Sequence, residues 1–251
     1  MLPIPRRRSW LCVLIGVLLL ASWWHGPLRP LWDGLDGLVF RLTNPLLGQQ
    51  PLWDGFWALA NHRATDLIAA LTMALIFALS GRHDRRGDGT ELLARAVVGA
   101  LLGLATKAFV GSVLDLDRLS PTLAFGDSQR LSLLVPWLET KDSSKGSFPS
   151  DHGLVLLCLT LYGWRQLLPA ARWAAALATV AFSLPRLFSG AHWLSDTLAG
   201  SLPLISVGLL GVLGLDRLLE RRLLPVLAAA IGRLLPPPLR HWLQSPQASR
   251  A

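Results

Sequence analysis

Cysteine is nearly missing from this chain of 251 residues: only Cys12 and Cys158 occur, each inside an apolar run and far from any histidine or second cysteine at metal-ligand spacing. That excludes a disulfide framework and a zinc site, and both read as small hydrophobes. Charge is scarce too. Asp, Glu, Lys and Arg make up 16% of the chain while apolar residues reach 52%, which excludes an ordinary soluble domain and places the protein in a lipid bilayer. Acidic residues are the scarcer sign, 16 against 24 Lys and Arg, for a formal charge of +8. No basic run interleaves with aromatics, so nucleic acid is not an expected partner, and the excess reads as membrane topology.

A membrane-crossing helix needs roughly 17 to 25 mostly apolar residues. That rule predicts an all-α polytopic bundle of about six spans, near 10–24, 65–81, 92–114, 153–169, 172–188 and 193–215. The first follows Arg6, Arg7 and Arg8 but ends in Ser22-Trp23-Trp24-His25 with no small-residue cleavage site, so it reads as an uncleaved anchor rather than a signal peptide. Arg82, Arg85 and Arg86, Arg165 and Arg172, and Arg217, Arg221 and Arg222 share a side with the N-terminal arginines, which puts both termini in the cytoplasm. The opposite face also carries Arg118, Arg130, Lys141, Lys145 and Arg186, against the rule and therefore in need of another explanation.

Tryptophan is over-used, with eleven residues, and Trp10, Trp23, Trp24, Trp164, Trp173 and Trp193 fall at expected span ends, as a headgroup-anchoring belt would. The pentapeptide Pro-Leu-Trp-Asp-Gly occurs at Pro30–Gly34 and Pro51–Gly55, around a helical-period run that suggests one or two interfacial helices on the outer face, with chance duplication as the other reading. Residues 1–215 thus form the membrane domain, with outer loops at about 115–152 and 186–196. Residues 216–251 read as a cytoplasmic, basic, amphipathic tail held to anionic lipid.

Three polar clusters gather on the outer face: Arg118-Leu-Ser-Pro121, Ser147-Phe-Pro-Ser-Asp-His152, and the set Arg186, Gly190, His192 and Asp196. Ionisable groups at span mouths are costly to place and are functional candidates for that reason. His192 and Asp196, four apart, lie on one face if they share the first turns of a helix. The carboxylate then fixes the imidazole and leaves the other ring nitrogen free to attack phosphorus, although the same pair can simply tie two elements together. Ser150 and His152 follow Pro149 at a helix start, where unpaired N–H groups hold an anion and His152 can protonate a leaving oxygen; a plain helix cap is the other reading. Arg118 and Arg186 offer planar forks for phosphate, or snorkel to headgroups. Convergence of two histidines, two arginines and an aspartate from three loops on one face favours catalysis.

At these residues the chain resembles the type-two phosphatidic acid phosphatase family, a six-span helical membrane fold with motifs Lys-x6-Arg-Pro, Pro-Ser-Gly-His and Ser-Arg-x5-His-x3-Asp. The third is met by Pro185-Arg186, His192 and Asp196, with Pro for Ser; the second by Pro149-Ser150-Asp151-His152, with Asp151 for Gly. The resemblance implies that His192 is the nucleophile, Asp196 its orienter, His152 the general acid, and Arg118, Arg186 and Ser150 the phosphate clamp. The first motif departs. Gly111 stands where the family has Lys, and Lys107, one turn deeper on about the same face, can reach toward the phosphate, with Lys141, Lys145 or Arg130 as other sources of charge.

The wider strings Arg118–Phe125, Thr140–Ser144, Ser147–Gly153 and Gly190–Asp196 are similar to a subfamily of Gram-negative inner-membrane lipid A phosphotransferases, over about residues 45–200. That resemblance implies a periplasmic site that takes the terminal phosphate of undecaprenyl diphosphate onto a histidine and passes it to the 1-phosphate of lipid A, with no cofactor and no metal. Asp151, an extra negative charge beside the pocket, is expected to modulate transfer against hydrolysis. The competing readings are a phosphatase of undecaprenyl diphosphate or phosphatidylglycerophosphate and, in another class, a non-catalytic lipid-binding or transport protein.

Overall fold

The computed structural model describes residues 6–24, 26–83, 88–113, 118–205 and 222–244, the side chains of 6–10, 12 and 13 excepted; every element among them is helical. Trp10 and Cys12 as side chains, Arg217 and Arg221, and the second half of the sixth expected span lie outside the described residues.

Helix α1 (Arg6–Trp24) leads into α2 (Arg29–Thr43), a 3-10 turn at Asn44–Leu46, and α3 (Pro51–Ala60). The repeated pentapeptide is a helix start in both places: its proline occupies the first turn, where the missing N–H would have had no partner. Two long helices follow, α4 (Arg63–His83) and α5 (Gly89–Val113), each with a mean hydropathy of 1.8 and long enough to cross a bilayer. The outer loop contains the short turns α6 (Pro121–Ala124) and α7 (Leu131–Leu134). After it come α8 (Asp151–Gly163), α9 (Pro169–Phe188) and α10 (Asp196–Ser201), a π-helical turn that continues as helix through 205. The described C-terminal part forms α11 (Leu224–Leu234) and α12 (Pro237–Gln244).

The expected fourth span, 153–169, is a shorter helix than the hydropathy suggests. At 13 residues, α8 rises about 20 Å against a hydrocarbon thickness of about 30 Å. It stops at Gly163, whose missing side chain admits the Phe77 ring, and Pro169 then opens α9. Helix α5 lies against both α4 and α8, and α9 closes on α4 and α8, around a core that includes Met73, Phe77, Leu156, Leu159 and Ala175. The opposite faces of α4 and α5 leave Leu67, Leu71, Leu75, Leu101 and Leu104 exposed, as lipid-facing positions would be.

Both helices of the described tail touch the bundle: Leu224 is buried against Ala94 and Val98 of α5, and Leu243 of α12 presses on Gly89, while Val226, Leu234 and Leu239 stay exposed. Two of the expected anchoring tryptophans also face inward: Trp23 and Trp193 are 3% and 8% exposed, whereas Trp173 is 66% exposed.

Helices α5 and α8 approach closely at Gly103, where an added Cβ would stand 2.9 Å from Cα of Val155. Gly103→Val is expected to cost about 1–3 kcal/mol by forcing the two backbones apart. Gly111→Ala, which meets nothing within 4 Å on the same helix, should leave the thermal midpoint in detergent unchanged or slightly raised.

Candidate active site

Local chain geometry first sets where His192 sits. Helix α9 ends in a Schellman motif, with Ala191 N–H donating to the Arg186 carbonyl and Gly190 N–H to that of Leu187, and Gly190 adopts a left-handed φ of 70°. A side chain there would also collide with Thr122 and Phe40. The turn carries His192 back over the end of α9 and ahead of the next helix, so His192 and Asp196 do not share helical turns as their spacing predicts. The Asp196 carboxylate instead reaches back to the Trp193 N–H at 2.8 Å and lies 3.5 Å from His192 Nδ1.

The nearest partner of Nδ1 is the Ser147 carbonyl at 2.8 Å, from the outer loop. A carbonyl only accepts, so Nδ1 carries a proton and the neutral ring has its lone pair at Nε2. Nε2 is buried without a hydrogen bond and stands 3.1 Å from Asp151 Oδ1, a charge contact that falls short of hydrogen-bond geometry. Asp151 in turn binds Lys141 Nζ at 3.0 Å. Burial opposes charge on the ring, but the Asp151 and Asp196 carboxylates outweigh it and push the His192 pKa up. Burial by itself would raise the Asp151 pKa; His192, then Lys141, hold the carboxyl well below the usual carboxylate range.

The second histidine has a different environment. His152 Nε2 lies 2.6 Å from Asp66 Oδ1, which also accepts from Arg186 at 2.8 Å, and its Nδ1 is buried without a partner. Burial and the neighbouring Arg186 charge lower the His152 pKa in spite of Asp66. The two imidazoles are thus pushed in opposite directions: the neighbours of His192 favour its protonated form, and those of His152 its neutral form.

The remaining expected site residues divide. Arg186 is 3% exposed and bridges Asp66, His152 and the Asn61 carbonyl. Lys107 reaches from α5 to the Pro149 carbonyl at 2.7 Å, just ahead of Ser150. Ser150 caps α8, its hydroxyl accepting from Gly153 N–H at 3.2 Å, which commits that oxygen to the helix start. Lys145 is exposed on the loop.

Arg118, expected in the phosphate clamp, has its two terminal nitrogens on carboxylates: Asp36 at 2.7 Å and Asp196 at 2.6 Å. Ser195 is a further partner at 2.8 Å, and the Trp23 and Trp193 rings flank the guanidinium at 5.3 and 5.0 Å. This accounts for the buried tryptophans: they cover a cation. Carboxylate partners account for four of the five basic residues that break the topology rule, Arg118, Lys141, Arg186 and Arg130, the last one meeting Asp142 at 2.9 Å; Lys145 is the exception.

Asp36, Asp66 and Asn61 go unnoticed in the sequence. Asp66 sits at the mouth of a span, the same signal that marks the other site residues. Asp36 and Asn61 sit in a segment whose helical periodicity reads as interfacial, and nothing local distinguishes them. Among the described residues no group of three His, Cys, Asp or Glu is placed to hold a metal ion.

A helical bundle that buries an oriented imidazole within a network of paired carboxylates and cations at one end suits a phosphoryl-transfer enzyme of the PAP2 class. The chain belongs to the PAP2 superfamily, whose profile matches residues 96–216, the stretch that holds α8, α9 and both histidines. It is similar to the lipid A 1-diphosphate synthase of Escherichia coli (strain K12), with 30% identity over 200 residues that cover 80% of this chain and 84% of that protein. No solved structure matches it.

Removal of one partner from a buried ion pair strands the other charge, so Asp36→Ala should lower the unfolding free energy by about 3–5 kcal/mol and depress the thermal midpoint in detergent. Asp151→Asn takes one anion from His192, so the ring should lose its proton at lower pH than in the parent protein. A histidine-labelled sample followed by NMR reads this directly; an unmoved midpoint would assign the whole upward shift to Asp196.

Proposed function

We propose that this protein is a six-span inner-membrane phosphotransferase with both termini in the cytoplasm and its site on the periplasmic face. It moves the terminal phosphate of undecaprenyl diphosphate to the 1-phosphate of lipid A through a phosphohistidine. The observation that carries this reading is the buried His192 Nε2, left with a lone pair by the Ser147 carbonyl at Nδ1 and without a hydrogen-bond partner of its own.

In the first step Nε2 attacks the terminal phosphorus, a P–N bond forms, and the P–O bond to undecaprenyl phosphate breaks; the entering phosphate charge favours the protonated form of His152, which gives its proton to the departing oxygen and regains one from the acceptor phosphate or water in the second step. In the second, a phosphate oxygen of lipid A attacks that phosphorus and the P–N bond breaks, which returns the electron pair to the imidazole. Asp151 Oδ1 stands where the incoming phosphorus must go, so the carboxylate has to swing away as the donor enters. That motion releases Lys141 to the phosphate and removes the anion that favours a protonated ring, and it gives Asp151 its modulating role. Lys107 and Arg186 supply further positive charge at the same end.

A cavity of about 560 Å³ between α4, α5 and α8 suits the donor's hydrocarbon chain. Ala69, Met73, Ala96, Ala100 and Val155 line it, and Asp66, Asp151 and His152 stand at its mouth. Similarity to a lipid A 1-diphosphate synthase supports the choice of substrates.

Purified protein given undecaprenyl diphosphate labelled at its terminal phosphate should place the label on lipid A. His192→Ala should abolish both that product and the acid-labile phosphoprotein. His152→Ala should slow transfer by about 10²–10⁴-fold. Label released only as inorganic phosphate, whatever the amount of lipid A, would assign the protein to the phosphatases of the superfamily instead.

A further inference from the structure

A second cavity, of about 470 Å³, lies on the far side of the Asp66–Arg186 pair from the apolar one, with Lys141 in its wall. The two cavities share only Asp66, so they meet at the group that joins His152 to Arg186. Their linings are chemically opposite. The first is almost wholly aliphatic; the second consists of charged and hydroxyl side chains, with Arg63, Glu139, Thr140 and Ser143 beyond the shared groups. Its volume falls in the range of about 300–1,000 Å³ usual for small-molecule sites.

Several of its polar groups are already committed. Asp142 accepts from Arg130 and the Ser132 N–H, and Arg186 and Asp66 hold each other and His152. Others are free to change partner. Arg63 and Glu139 face each other at 3.1 Å with side chains 81% and 69% exposed, a rim pair that water weakens and a ligand can open. The Thr140 hydroxyl is buried without any hydrogen bond. A fork-shaped cation, a carboxylate and an unpaired hydroxyl around one space match a molecule that offers donor and acceptor hydroxyls together with a phosphate. A hydrocarbon chain has nothing to gain there, and a single attacking water needs no cavity of this size.

We infer that this polar cavity is the acceptor site and takes a phosphorylated sugar headgroup, which Arg63, Glu139 and Thr140 hold with its phosphate directed at Lys141 and Arg186. The inference rests on the transfer reading above and adds where the second substrate binds. The donor and acceptor then approach the histidines from opposite sides of Asp66. The enzyme thereby keeps a long apolar chain and a hydroxylated headgroup in separate compartments that meet only at the reacting phosphorus.

The test uses the full chain in detergent with labelled undecaprenyl diphosphate, lipid A as acceptor, and the Arg63→Ala/Thr140→Val double variant. The variant should raise the KM for lipid A at least tenfold and divert label from lipid A to inorganic phosphate. Soluble glucosamine 1-phosphate should compete with lipid A in the parent and at least tenfold more weakly in the variant. An unchanged KM and an unchanged inhibition constant would overturn the assignment, as would a parallel loss of both labelled products. If the parent protein labels no lipid A at all, the transfer reading fails separately. Glucosamine 1-phosphate then still decides the cavity: inhibition of phosphate release that is lost in the variant upholds it, and its absence removes it.

Discussion

One largely enclosed cation, with its side chain 14% exposed, holds the candidate site together. Arg118 comes from the outer loop, Asp36 from α2, Asp196 from α10 and Trp23 from α1, and all four meet at a single guanidinium. A charge with that little water around it is tolerable only when its donors are matched, so each element is held to the geometry that matches them. Asp36 is itself fully buried and also accepts from the Ser195 N–H, which ties α2 to the first turn of α10. The position of Asp196, and through it the orientation of His192, depends on this bracket.

The same economy of charge runs through the rest of the site. Nearly every ionisable side chain is the partner of another: Asp151 lies between His192 and Lys141, and Asp66 between His152 and Arg186. In such a network most cations already have a carboxylate as partner, and Lys107 has the Pro149 carbonyl. Proton affinities follow from this. Two anions beside His192 favour its charged form, whereas burial and Arg186 disfavour that of His152, so two chemically identical side chains are given different proton affinities by their neighbours.

Much of the frame was legible in hydropathy. The expected spans 65–81 and 92–114 correspond to helices Arg63–His83 and Gly89–Val113, because a long apolar run has one stable solution in lipid, where every backbone group must be bonded within the segment. Hydropathy was blind to contacts between distant segments. The Phe77 ring against Gly163, the last residue of α8, comes from 86 residues away in sequence, and the docking of α11 on α5 comes from Leu224 finding Ala94 and Val98. Tryptophan was ambiguous for the same reason: an indole at a span end suits a headgroup, but it equally suits the face of a buried arginine.

The chemistry of the site was written in short spacings. Ser150 to His152, and Arg186 through His192 to Asp196, are residues that local turns bring to one place, and a motif records such neighbours directly. The sequence by itself therefore determined the helical class, the two long apolar helices and the short motifs that carry both histidines. Only the tertiary structure decided what surrounds them: that Arg118 faces Asp36 rather than open space, that Asp66 is the partner of His152, and that Asn61 supports Arg186 from 125 residues away. Pairing of charges across such separations is fixed by the packing of whole helices, and no local pattern of residues encodes it.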